Sequence, residues 1–343
     1  MRFPDAGIES LRALGYTEDE ARFLYIVTTH SGYFSTRQFL EFTGAKSGDR
    51  SMTFSQKLLG KGHATARLLL RNGRVYHVYS RLVYRAIGRE NLRNRREHSP
   101  EHIRTRLTVL DFILGHLQYT YLETEADKLE YFCKQCGIPE ALLPAKRYTG
   151  AIHAKATDRY FVDKFPLFFT SESAFTSVAT FTFIDPGLGS IDSFKTHLLA
   201  YASLFGALAE LRLIYVATRS NHFEAARKAF FAKVNQTSRK DPGDEILNYF
   251  RLRKLWEMKK YELLPDDDLL SLNQYTKRFQ NHSCHERYPA WRDGQISNDA
   301  VRSEYRDLTP PRKVRFETVQ VDGQAALFEA KPKRHLDSQV RTT

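Results

Sequence analysis

Apolar positions recur at helical spacing through the first sixty residues and then switch to strand-like runs. Thr17 with Glu20 three residues on makes a capping box, which predicts a helix carrying Phe23, Leu24, Ile26 and Val27 on its inner side. Ser35 is the expected N-cap of a second helix with Phe39, Leu40 and Phe42, stopped at Gly44. The chain turns, and Asp49 is expected to cap a third helix, with Met52, Phe54, Leu58 and Leu59 inward and Arg50, Ser51, Thr53, Gln56 and Lys57 outward. Two short runs, Thr65–Leu70 and Val75–Tyr79, flank Asn72-Gly73, the dipeptide that most favours a tight hairpin; Arg71 and Arg74 border that turn. The order predicts a winged helix-turn-helix.

Farther on, Ser99 and Pro100 open a helix whose apolar side is Ile103, Leu107, Leu110, Ile113, Leu114 and Leu117. A short strand at 119–123 and a helix from Thr124 with Ala126, Leu129, Phe132 and Cys133 inward are expected next. Strand-like runs follow at 159–163, 166–169 and 178–184, the last stopping at Asp185-Pro186-Gly187. A helix from Ser193 through Phe205, a strand over 211–217 and a helix from His222 to about Val234 complete a strand-helix-strand crossover, which requires a parallel pair. From Asp244 the pattern is helical, with Asp266–Asp268 read as dipole partners at a helix start rather than as a metal cluster. A hairpin around Asp322-Gly323 and a disordered basic terminus are expected at the end. The fold class is therefore mixed α/β: a winged-helix domain over 5–90, an α/β domain over 91–240, a helical extension over 241–308 and a mostly disordered tail over 309–343.

Composition sharpens this picture. The 343 residues carry a net charge of +12. Between Thr36 and Arg106 there are sixteen Lys and Arg against five Asp and Glu, so almost the whole excess lies on the predicted wing region and the strip holding Arg93, Arg95 and Arg96. A one-sided basic block suits neutralisation of nucleic-acid phosphates. No apolar run approaches the roughly 20 residues of a membrane span, and no signal-peptide core is visible, so a cytoplasmic location is expected. Three cysteines fit a reducing compartment. Cys133 and Cys136 form a CxxC that His282, Cys284 and His285 could join around zinc, but packed free thiols on an amphipathic helix are the preferred reading. GxGxxG after a strand, Walker, HExxH and GxSxG motifs are all missing.

A winged helix followed by an αβββαβ unit, with an apolar strand ending in an acid and then a helix bearing His197, Leu198 and Tyr201, resembles the replication-relaxation family of plasmid and conjugative-element proteins. The resemblance covers about residues 15–235. It implies a restriction-endonuclease-like second domain, whose active members hold Mg²⁺ with an Asp on one strand and an acid-x-Lys on the next. Asp163 maps to the first acid; the acid-x-Lys falls on Phe183-Ile184-Asp185, and Lys164 should point away from Asp163. Phenylalanine cannot ligate Mg²⁺, so the resemblance implies a degenerate domain with a vestigial metal site at Asp163 and Asp185 and no catalytic residues.

The resulting expectation is double-stranded DNA binding without catalysis or cofactor, as a transcriptional regulator or a replication or transfer accessory factor of a mobile element. Arg50, Ser51, Thr53, Gln56 and Lys57 would meet the groove, Arg71 and Arg74 the flanking backbone, and Arg93, Arg95 and Arg96 further phosphates. A homodimer and other mobile-element proteins are the partners to test for. The alternatives are a Mg²⁺-dependent endonuclease using Asp163, Asp185 and an acid such as Glu125, and a protein-interaction adaptor whose basic strip meets an acidic partner.

Overall fold

Local hydrogen bonding starts the helices where the capping residues stand. The computed structural model describes residues 1–46, 48–68, 73–148, 157–163, 165–170, 178–187, 190–236, 242–278, 282–308 and 313–321. After helix α1 (Asp5–Ala13), Thr17 accepts the Glu20 N–H and Glu20 accepts the Thr17 N–H at 2.8 Å, opening α2 (Glu18–His30). Strand β1 (Tyr33–Ser35) runs into α3 (Thr36–Thr43), where Ser35 and Gln38 make a second capping box and Gly44, at φ 63°, closes the helix. Helix α4 (Asp49–Gly60) follows with Gly48, not Asp49, at its N-cap; Asp49 sits in the first turn, where its negative charge complements the positive end of the helix dipole. Strands β2 (Ala64–Leu68) and β3 (Arg74–Val78) complete an antiparallel sheet of order β1-β3-β2. Residues 69–72, Arg71 and Asn72 included, lie outside the described ones.

Helix α5 (Arg81–Ala86) and a 3-10 turn at Arg93–Arg95 lead to α6 (Pro100–Leu114), capped by Ser99. Next come β4 (Thr120–Tyr121) and α7 (Glu125–Leu129), which widens into a π turn over Glu130–Gln135. Strands β5 (Ala145–Tyr148) and β6 (Thr157–Tyr160) form a small antiparallel pair. The main sheet is built from β7 (Leu167–Phe169), β8 (Thr180–Asp185), β9 (Glu210–Ala217) and β10 (Lys313–Gln320) together with β4, in the order β10-β9-β8-β7-β4. β8, β9 and β10 are parallel, while β7 and β4 run antiparallel to their neighbours. Helices α8 (Asp192–Ala200) and α9 (Ala202–Ala207) connect β8 to β9, and α10 (Phe223–Gln236) follows β9. The extension contains α11 (Pro242–Glu257), α12 (Asp266–Arg278), α13 (His282–Arg292) and α14 (Asn298–Leu308), packed around Ile246, Tyr249, Phe250, Tyr288 and Val301. The chain is thus of mixed α/β class.

Strand alternation explains how the sheet is covered. Phe181 and Phe183 of β8 and Leu213 and Tyr215 of β9 face Phe194, Leu198 and Phe230, while Ile184, Ile214 and Val216 face Phe112 and Ile113 of α6. The α6 side of this core continues without a break into Phe23, Phe34, Phe39 and Phe54. Helix α6 therefore belongs to both units. Its Asp111 accepts from Arg37 and Gln38 of α3, each at 2.8 Å, and Gln38 also donates to the Leu107 carbonyl at 2.9 Å. Gly32 (φ 82°) is pressed against the Asn94 backbone, where any Cβ would collide with the Asn94 carbonyl.

Several expectations change. The helix expected over 193–205 breaks at Tyr201 into α8 and α9. Ala126 is exposed, and the buried residue of that turn is Lys128. The strand expected over 159–163 ends at Tyr160, because Phe161 adopts a left-handed φ of 51°, leaving Asp163 in a turn. Segment 313–320 joins the main sheet beside β9; the hairpin expected around Asp322-Gly323 and the terminus lie outside the described residues. Among the described residues no helix is long and apolar enough to cross a membrane.

Candidate functional site

Helix α4 stands on a floor of Phe54, Ser55 and Leu58, so its outward face is set by the residues between them. That face consists of Arg50, Met52, Thr53, Gln56 and Leu59. Met52, at 54% exposure, points outward although helical spacing had placed it in the core. Ser51 moves the other way: it is 2% exposed and donates to the Gly48 carbonyl at 2.7 Å, so it helps begin the helix and cannot reach a groove.

The two cations of α4 are engaged differently. Arg50 pairs with Asp19 at 2.5 Å, with both side chains nearly half exposed; such a pair contributes about 0–1 kcal/mol and yields readily to a phosphate. Lys57 reaches Glu20 at 2.6 Å, against the capping box of α2 and within 5.8 Å of the Tyr16 ring centroid, and both partners are largely covered. It is a structural tie between α2 and α4.

On the hairpin, Arg67 and Arg74 are exposed, and neither has an ion pair among the described residues; Arg74 stands opposite Leu68 in the register. Arg71 lies outside the described residues. Of the basic strip, Arg95 is a strut, donating to the Tyr79 and Glu90 carbonyls at 3.1 and 2.9 Å. Arg93 lies 4.7 Å from the Tyr148 ring centroid and donates to its hydroxyl at 3.2 Å. Only Arg96 extends outward free of such contacts. Lys46, in the turn before α4, and Lys61, just after it, are exposed as well and were not singled out from the sequence. Their position at the ends of a helix exposed on one side was the available signal.

A second site lies at the ends of β7 and β8. Asp163 and Asp185 line one cavity of 640 Å³ together with Lys146, Ser193, His197 and Tyr201. The Asp163 carboxylate sits 3.1 Å from His197 Nδ1; burial alone would raise it, but His197, Lys128 and Tyr201 hold it below its ordinary range. Burial pushes the Tyr201 hydroxyl well above its usual value, and Asp163 adds to this. Asp185 accepts from Tyr215 at 2.6 Å and from the Gly187 N–H at 2.7 Å, with His222 Nδ1 at 3.2 Å. Sequence reasoning named His197 and Tyr201 as marks of the helix; it missed Tyr215 and His222, which only the sheet brings to Asp185.

Phe183 is buried between Phe165, Phe194 and Tyr215. Glu125 does not join the two aspartates: it accepts from the Tyr160 N–H at 3.0 Å and pairs with Arg159 at 3.5 Å on the wall of a different cavity. Lys164 lies outside the described residues. Among the described residues no three His, Cys, Asp or Glu are grouped as a metal would require. Cys133 is half-buried and Cys136 exposed, both as free thiols; the side chains of His282, Cys284 and His285 lie outside the described ones. No family model, characterised relative or solved structure matches this chain.

Proposed function

We propose that the chain binds double-stranded DNA without catalysis, through a winged helix over residues 5–90 set on a nuclease-like α/β domain. The observation that carries this reading is the order α2-β1-α3-α4-β2-β3, with its β1-β3-β2 sheet leaving one face of α4 and the adjoining hairpin uncovered. A major groove about 12 Å wide admits such a helix. Gln56 and Thr53 offer donors and acceptors to base edges, Met52 offers an apolar contact to a thymine methyl, and Lys46, Lys61, Arg67, Arg74 and Arg96 offer charge to phosphates. Arg50 exchanges Asp19 for a phosphate; Ser51, Lys57 and Arg95 act within the protein. By the resemblance to replication-relaxation proteins, the role is regulation of transcription or assistance in replication or transfer for a mobile element. The β4-β7-β8 meander followed by α8-α9-β9 supports the nuclease-like reading of the second domain. Occupied carboxylates and a buried Phe183 favour a non-catalytic one.

Binding to random duplex should weaken steeply with salt. The double variant Arg67→Ala, Arg74→Ala should reduce the slope of log K against log salt by about 2, since each phosphate contact contributes roughly 0.9. Equal slopes for variant and parent would remove the hairpin from the interface. Run with Mg²⁺ on a denaturing gel, the DNA should remain intact; nicking that disappears in Asp163→Ala would replace the non-catalytic reading with the endonuclease. The adaptor reading is favoured by one observation, the exposed apolar side chains Met52 and Leu59 of α4 and Leu68 of β2. Failure to retain DNA even at low salt would select it.

A further inference from the structure

Between the loop at 91–98, α6 and α7 lies the cavity of 340 Å³ on whose wall Glu125 sits. Its floor contains two buried cations. Arg106 is 4% exposed, its Nε donates to His102 Nε2 at 3.1 Å, and its NH1 has no partner. Lys128 is 7% exposed, its ammonium rests 5.5 Å from the Phe161 ring centroid, and among the described residues it makes no ion pair. The acids on the same wall are taken: Glu123 by Arg89 and Tyr25, Glu125 by Arg159 and the Tyr160 N–H. Asp163 acts on both Arg106 and Lys128 and is bonded to His197, while Asp127, which also acts on Lys128, is taken by the Glu123 and Thr124 N–H groups. Every carboxylate near these two cations is thus bonded to another group, and among the described residues the Arg106 NH1 is left without an acceptor at the cavity. An unsatisfied N–H on a buried guanidinium is costly, and that cost is relieved by an anion with several acceptor oxygens.

We propose that this cavity binds a phosphate group, held by Arg106 and Lys128. A phosphate presents oxygens to a guanidinium and an ammonium at once, which the single carboxylate of Asp163 does not. The site is separate from the α4 face, so the phosphate belongs either to a small free phosphate ester or to the backbone of a nucleic acid that reaches the cavity.

Inorganic phosphate titrated into the full chain should broaden its ³¹P signal and raise the Tm saturably, beyond chloride at the same ionic strength. Lys128→Met should weaken that binding at least tenfold, and Lys128→Arg should retain it. Slower amide hydrogen exchange over Pro100–Leu114 and Glu125–Leu129 on adding phosphate, read by mass spectrometry on the unaltered chain, tests the same site without a substitution. Adenosine monophosphate and a short duplex distinguish the sources: displacement of phosphate by the duplex alone assigns the site to the nucleic-acid backbone, and displacement by the monophosphate alone assigns it to a free ester. Absence of saturable phosphate binding, or binding that survives in Lys128→Met, overturns the proposal.

Discussion

Phe54→Ala is expected to lower stability by about 3–5 kcal/mol, the range for emptying a buried aromatic site. The ring has no exposed surface. It stacks on Phe39 of α3 with centroids 4.3 Å apart and meets Phe34 of β1 at 5.7 Å, Phe23 of α2 at 6.0 Å and Tyr16 at 6.3 Å. Elements on every side of the helix pair converge on this one side chain, so no single neighbour can move in to fill the space. Because the same core continues through α6 to the main sheet, the loss should appear as a lower urea midpoint for the whole N-terminal transition, with the m-value unchanged. A loss below about 1 kcal/mol would mean that the site collapses around the smaller side chain. The variant Phe54→Leu should keep most of the stability, since α4 would still be held in place.

Glu123→Gln is the second large effect expected, at about 3 kcal/mol near neutral pH. The carboxylate follows β4 and ties the main sheet to α2. Arg89 donates to it, Tyr25 donates to it at 2.6 Å, and His30 Nε2 lies 3.7 Å away. Arg89 also bonds Thr29 at 2.7 Å and Tyr25 at 3.0 Å. Burial pushes the Glu123 carboxyl up, but His30, Arg89 and Tyr25 outweigh it and bring it down to about 2. A depressed carboxylate stabilises the fold fully above its unfolded pKa, and that stability is lost as pH falls through the folded value. The contribution should therefore be complete above about pH 5 and fade toward pH 2. The amide leaves Arg89 without its counter-charge, which costs most while the carboxylate would have been ionised. Stability curves of parent and variant should be separated at pH 7 and converge at acid pH. A constant gap across that range would assign the effect to packing rather than to charge.

Much of the architecture was legible in local signals. The capping boxes at Thr17 and Ser35, the Ser99-Pro100 start, the Asn72-Gly73 pair and the apolar runs of β8 and β9 each depend on residues within a few positions of one another. Those positions suffice because caps, turns and pleats are short-range physics. The basic excess between Thr36 and Arg106 is likewise a property of composition alone.

What each of those charges does was decided by tertiary contacts. Lys57 is bound because α2 brings Glu20 to 2.6 Å, and Arg95 because two carbonyls from other segments converge on it, whereas Arg67 and Arg74 stay open on a hairpin edge. Ser51 and Met52 exchanged places because a helix of twelve residues buries only the face that its neighbours cover, and periodicity alone leaves the edges of that face ambiguous. Segment 313–320 finds its parallel partner in β9, 103 positions earlier, a pairing that no local pattern announces. Asp163 and Asp185 come to one cavity, Glu125 to another, and Arg106 and Lys128 to a shared buried floor, through pairings that span from about twenty to over thirty positions. The sequence by itself determined the elements and the sign of the charge. Which side chains remain available to a partner was determined only by the fold, because availability depends on what distant segments place within about 3 Å.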